Sequence, residues 1–61
     1  MNEETKKYTV TMLRKDCNRP MIFYDIVSWR IDNGALVFNE GNGTTNGFLL
    51  DTLKLYRIEE N

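Results

Sequence analysis

The chain carries one cysteine and no histidine in 61 residues, and those two counts narrow the reactions it could run. Cys17 sits in Arg14-Lys15-Asp16-Cys17-Asn18-Arg19, a cationic setting of the kind that favours a thiolate in reactive cysteines. A cysteine nucleophile usually hands its proton to a histidine base, which this chain lacks, so Cys17 reads as an incidental exposed thiol. A structural zinc site takes four Cys or His ligands, and one is present, so no metal is expected. Asp16, Asp25, Asp32 and Asp51 are carboxylates that could serve acid–base work, yet they fall in turns or at strand edges rather than inside the apolar runs such catalysts use. Asp25, between Tyr24 and Ile26, is read as capping a backbone amide at a bend, and Asp32 as supporting the following turn through its side chain. No catalytic residue and no cofactor follow from this set.

The stretch Glu40-Gly41-Asn42-Gly43-Thr44-Thr45-Asn46-Gly47 has the glycines that let backbone amides approach a phosphate, but it has no P-loop lysine and no adequate helix follows it. A β-hairpin turn centred on Gly41-Asn42-Gly43 accounts for it. Binding residues concentrate on loops held by a rigid scaffold, so Gly41, Asn42, Gly43, Thr44 and Asn46, with Tyr56 and Arg57, are taken as the candidate surface for a protein partner. A second set, Trp29-Arg30 and Tyr56-Arg57 with Tyr8, Tyr24, Lys54 and Arg19, interleaves aromatics with cations as base-stacking barrels do. The competing reading of that set is a core built on Trp29 and Phe38, with Arg30 and Arg57 covering its rim.

These residues need strands to hold them. Ser28 to Asn39 contains Asn33-Gly34 between two alternating apolar runs, the strongest short-range signal for a hairpin with a type I′ turn. Tyr8 to Leu13 alternates with period two and reads as the first strand, with Tyr8, Val10 and Met12 on one face. Arg14 to Pro20 has loop composition. Met21 to Ile31 places Ile22, Tyr24 and Ile26 on one side and Val27, Trp29 and Ile31 on the other, a change of face that requires a bulge or bend near Asp25 to Ser28. Ala35 to Asn39 is the third strand. Leu50-Asp51-Thr52-Leu53 reads as a tight or 3₁₀ step before a closing strand at Lys54 to Glu59, with a short helix from Leu49 to Tyr56 as the alternative. The expected fold is all-β, a small five-stranded antiparallel meander or SH3-like open barrel over residues 8–60, preceded by a frayed polar tail at residues 1–7. Val10, Met12, Trp29, Ile31, Leu36, Phe38 and Ile58 are the expected core.

A chain this short buries about 60% of its unfolded surface and often needs a disulfide, a metal or a second subunit. Here self-association is the remaining device, and a homodimer is expected, paired at an open sheet edge. A lone thiol suits a reducing compartment, and the polar start has no signal-peptide h-region, so a cytoplasmic protein with no membrane span is expected. Eight basic and nine acidic residues give a net charge of −1, which supplies neither a steering field for nucleic acid nor a strongly acidic face.

The layout is a polar start, an alternating strand, an aromatic strand leading into Asp32-Asn33-Gly34, then Leu36-Val37-Phe38, a Gly/Asn turn and Leu53-Lys54-Leu55-Tyr56-Arg57-Ile58-Glu59-Glu60. It resembles the small β-meander proteins encoded by phages and prophages. Tyr8-Thr9-Val10-Thr11-Met12-Leu13 is also similar to a stretch of a small phage inhibitor of uracil-DNA glycosylase. With catalytic and metal residues lacking, the expected function is a non-enzymatic protein-interaction module, which the resemblance makes a phage or mobile-element factor that binds and inhibits or modulates a host protein; the alternative is a small nucleic-acid-binding β-barrel.

Overall fold

A computed structural model describes residues 6–61. Five strands form one antiparallel sheet: β1 (Tyr8–Arg14), β2 (Met21–Asp32), β3 (Ala35–Glu40), β4 (Thr45–Leu49) and β5 (Leu53–Glu60). A single 3₁₀ turn, Leu50–Thr52, joins β4 to β5, so the alternative helix over Leu49 to Tyr56 does not form. Of the tail expected at residues 1–7, residues 1–5 lie outside the described residues. Lys7 Nζ lies 2.8 Å from Asp25 Oδ1, and the Lys7 carbonyl accepts a 2.8 Å bond from the Asn61 N–H.

The strand order is β4-β3-β2-β1-β5. The first four strands form a meander, and β5 then crosses back to lie antiparallel beside β1. Of the two expected arrangements, this is the strand order of the SH3-like open barrel. The β2–β3 turn takes the expected form, with Asn33 at φ 51° and Gly34 at φ 76°. Both central residues occupy the left-handed region that a type I′ turn demands. Asp32 does not support this turn through its side chain. The ladder already closes on the Asp32–Ala35 pair, and the carboxylate instead lies along the strand, its Oδ2 3.7 Å from Arg30 Nε.

The bend in β2 is two bulges close together. Tyr8 pairs with Ile26 but Val10 pairs with Phe23, so three steps on β2 match two on β1. On the other side Ile26 pairs with Glu40 and Ser28 with Asn39, which leaves Val27 as an extra residue against β3. Each bulge adds local twist. The first half of β2 therefore lies on β1, the second half on β3, and the two halves of the sheet face each other across the core.

That core consists of Val10, Met12, Ile26, Leu36 and Phe38, all fully buried, with Leu53 nearly so. Phe23 meets Phe38 edge-on at 4.9 Å between ring centroids, and Phe48 stacks on Phe38 at 6.0 Å. Tyr8, Met21, Leu50 and Ile58 pack around this group. Trp29 and Ile31 correct the expected core, being 41% and 45% exposed. They share the inner side with their partners Phe38 and Leu36, but β1 accompanies β2 only as far as Ile26, so beyond that point they are covered from one side only. Ile26 and Leu53 take the buried places instead.

Two outcomes follow for stability. Gly34→Ala forces a Cβ into the left-handed region and should cost about 1–2 kcal/mol, read as a melting temperature lower by roughly 5 °C or more; a melt matching the parent would contradict the turn. Phe38→Ala should cost about 3–5 kcal/mol, close to the whole stability of a chain this size. Trp29→Ala should still melt cooperatively, and equal losses from the two variants would contradict the core described here.

Candidate functional site

The β3–β4 turn is tied down on all sides. The Glu40 N–H donates to the Thr44 carbonyl at 2.8 Å, the Gly43 N–H to the Glu40 carbonyl at 3.0 Å, and the Thr44 N–H to Asn42 Oδ1 at 2.9 Å. Gly41 contacts the bend of β2: its N–H donates to the Asp25 carbonyl at 2.9 Å, and a Cβ on it would stand 2.5 Å from Asp25 Oδ2. Asn46 lies in β4, not in a loop, half-buried, with Nδ2 donating to Glu40 Oε2 at 2.8 Å. Gly41, Asn42, Gly43, Thr44 and Asn46 therefore form one compact corner. Tyr56 and Arg57 belong elsewhere. They sit in β5 opposite Met12 and Thr11, with β1 and β2 between them and β3 in the sheet, and as neighbours in a strand they point to opposite faces.

Asp25 holds this corner to the start of β1. It adopts φ 62°, a conformation that costs an L-residue with a side chain roughly 1–2 kcal/mol and that Asp tolerates better than most. Its carboxylate reaches Lys7 instead of capping a bulge amide. Both partners of that ion pair are about half exposed, so the pair contributes little. Asp25→Gly should accordingly melt at or above the parent temperature, and Asp25→Val well below it. A large loss in Asp25→Gly would show that the carboxylate, not the backbone conformation, is what the bend needs.

The register of β2, β1 and β5 builds a second surface, which the sequence reading did not isolate. Directly opposed residues share a face, so Ile22, Thr11 and Arg57 form one row and Leu13 with Leu55 the next. Tyr24 follows Ile22 by two residues on the same side. This is the outer face of the sheet, away from the core. Ile22 and Leu55 are about half exposed and Tyr24 is 66% exposed. Arg57 Nε lies 3.8 Å from Glu59 Oε2 along the same face. The sequence grouped Ile22 and Tyr24 with Ile26. The bulge at Asp25 separates them, sending Ile26 inward beside Phe23 and leaving Ile22 and Tyr24 outside.

Among the described residues there is no cavity, no group of three or more Cys, Asp or Glu side chains placed to hold a metal, and no helix long and apolar enough to cross a membrane. Cys17 is free and exposed. Comparisons with protein-family models, curated proteins and solved structures find no match to this chain.

Proposed function

We propose that this protein is a non-enzymatic interaction module that binds a partner protein through the outer face of β2, β1 and β5. The observation that carries the reading is the exposure of Ile22, Tyr24 and Leu55 on one side of three paired strands, with Arg57 in the row of Ile22 and Leu13 beside Leu55. A contiguous exposed apolar patch is the usual mark of a contact surface, and Tyr and Arg are the residues that most often carry interface energy. A regular sheet presents these side chains with their backbone already ordered, so little entropy is lost there on binding. The likeness in layout to phage-encoded β proteins makes a host protein the partner class to test first. The Gly41–Thr44 corner is the second candidate surface, and its internal bonds make it a rigid one.

Photo-cross-linking from cell extract tests this, comparing the parent with an Ile22→Ser/Tyr24→Ala double variant and with Asn42→Arg. The double variant should lose about tenfold or more of the captured partner while melting within a few degrees of the parent. Asn42→Arg should keep it. Capture that survives the double variant and fails in Asn42→Arg would move the interface to the β3–β4 corner. Retention on a labelled single strand that falls steeply with salt would favour the nucleic-acid-binding barrel instead.

A further inference from the structure

The long free edge of β5 goes beyond the partner-binding reading and stands independently of it. β5 is one end of the sheet order and spans Leu53–Glu60, with no strand on its outer side. The other edge, β4, has five residues and a glycine at its centre. The bond from the Asn61 N–H to the Lys7 carbonyl fixes the phase of the β1–β5 ladder. In an antiparallel pair the inward-bonded residues alternate, so Leu55, Arg57 and Glu59 bond toward β1 while Tyr56, Ile58 and Glu60 turn their N–H and C=O groups outward. No described backbone bond uses those outward groups. Unpaired groups along a strand with neither proline nor glycine are a template for another strand.

We propose that a second copy of this chain occupies that edge, β5 against β5 in antiparallel register about a two-fold axis at Arg57. An isologous pairing must map each residue onto a position of equal phase, which leaves few registers. With the axis at Arg57, Tyr56 stands opposite Ile58 of the second copy, and Lys54, which has no partner on β1 where that ladder shifts register, stands opposite Glu60, each twice by symmetry. Shifting the axis to Tyr56 puts Lys54 opposite Ile58 and Leu53 opposite Glu59, with no opposed charges. Shifting it to Ile58 opposes Arg57 with Glu59, which already meet within one chain, but shortens the paired stretch and leaves Lys54 outside it. Charge complementarity and the length of the pairing together select the first register. The two Arg57 side chains meet at the axis, but each already has Glu59 of its own chain at 3.8 Å, and Glu59 of the second copy lies on the adjoining diagonal. Glu60 would exchange a loose 3.7 Å contact with Lys6 for the opposed Lys54. Pairing covers part of Tyr56, which is 42% exposed in the single chain, and joins the two sheets into one of ten strands.

Sedimentation of the purified protein alone tests the pairing, so its outcome does not depend on any host partner. The parent should be a dimer in the micromolar range. Lys54→Glu and Glu60→Lys each set like charges opposite one another twice, and each should weaken the dimer on the order of tenfold. The Lys54→Glu/Glu60→Lys double variant should recover parental association, and melting curves on all four proteins check that each is folded. A monomeric parent, single variants that associate as the parent does, or a double variant that stays as weak as the singles would each overturn the proposal.

Discussion

A strand of twelve residues extends about 40 Å at the usual rise of 3.3–3.4 Å per residue, and six buried side chains cannot line such a length. β2 meets that constraint by bending. Its two bulges bring Ile26 against Tyr8 on one side and Glu40 on the other, so one fully buried residue joins the two halves of the sheet. The cost is a left-handed residue at Asp25 and one unpaired step on each neighbouring ladder. It is offset by the packing of three phenylalanines from β2, β3 and β4 against one another.

Several features of the surface descend from that bend. Because β1 follows only the first half of β2, Trp29 and Ile31 lie on the inner side only partly covered. The bulge sends Phe23 and Ile26 inward together, and Ile22 and Tyr24 are left on the outer face in line with Thr11 and Arg57. The same corner fixes the β3–β4 turn, since the Gly41 N–H bonds to the Asp25 carbonyl and a Cβ on Gly41 would displace the Asp25 carboxylate. A fold with one short core thus presents exposed apolar side chains on its outer face and a long unpaired edge.

Much of the architecture was legible in the residues. Asn33-Gly34 specified its turn because few sequences tolerate two consecutive left-handed positions, and the adjacent Ile26 and Val27 marked the bend because a strand cannot bury both neighbours on one side. Period two gave the inner residues of β1 and β3, where the strands are regular. It failed along β2 because each bulge adds one residue, and one residue reverses every side chain beyond it; Ile22, Tyr24 and Ile26 look alike in sequence and differ in place for that reason alone. Trp29 was misplaced for a different cause, since its burial depends on how far β1 runs, which only the pairing sets. The candidate site divided similarly. Gly41 to Thr44 and Asn46 cluster because they are local in sequence, whereas Arg57 gains its neighbours Thr11 and Ile22 across three strands.

The bend itself can be measured most directly from interstrand backbone contacts in a solution nuclear Overhauser spectrum. The fold described here requires Thr11 opposite Ile22, Tyr8 opposite Ile26, and Ile26 also opposite Glu40. An unbent β2 would carry the Thr11–Ile22 register on without a break and place Lys7, not Tyr8, opposite Ile26. That pattern, with no contact between Ile26 and Glu40, would contradict the account.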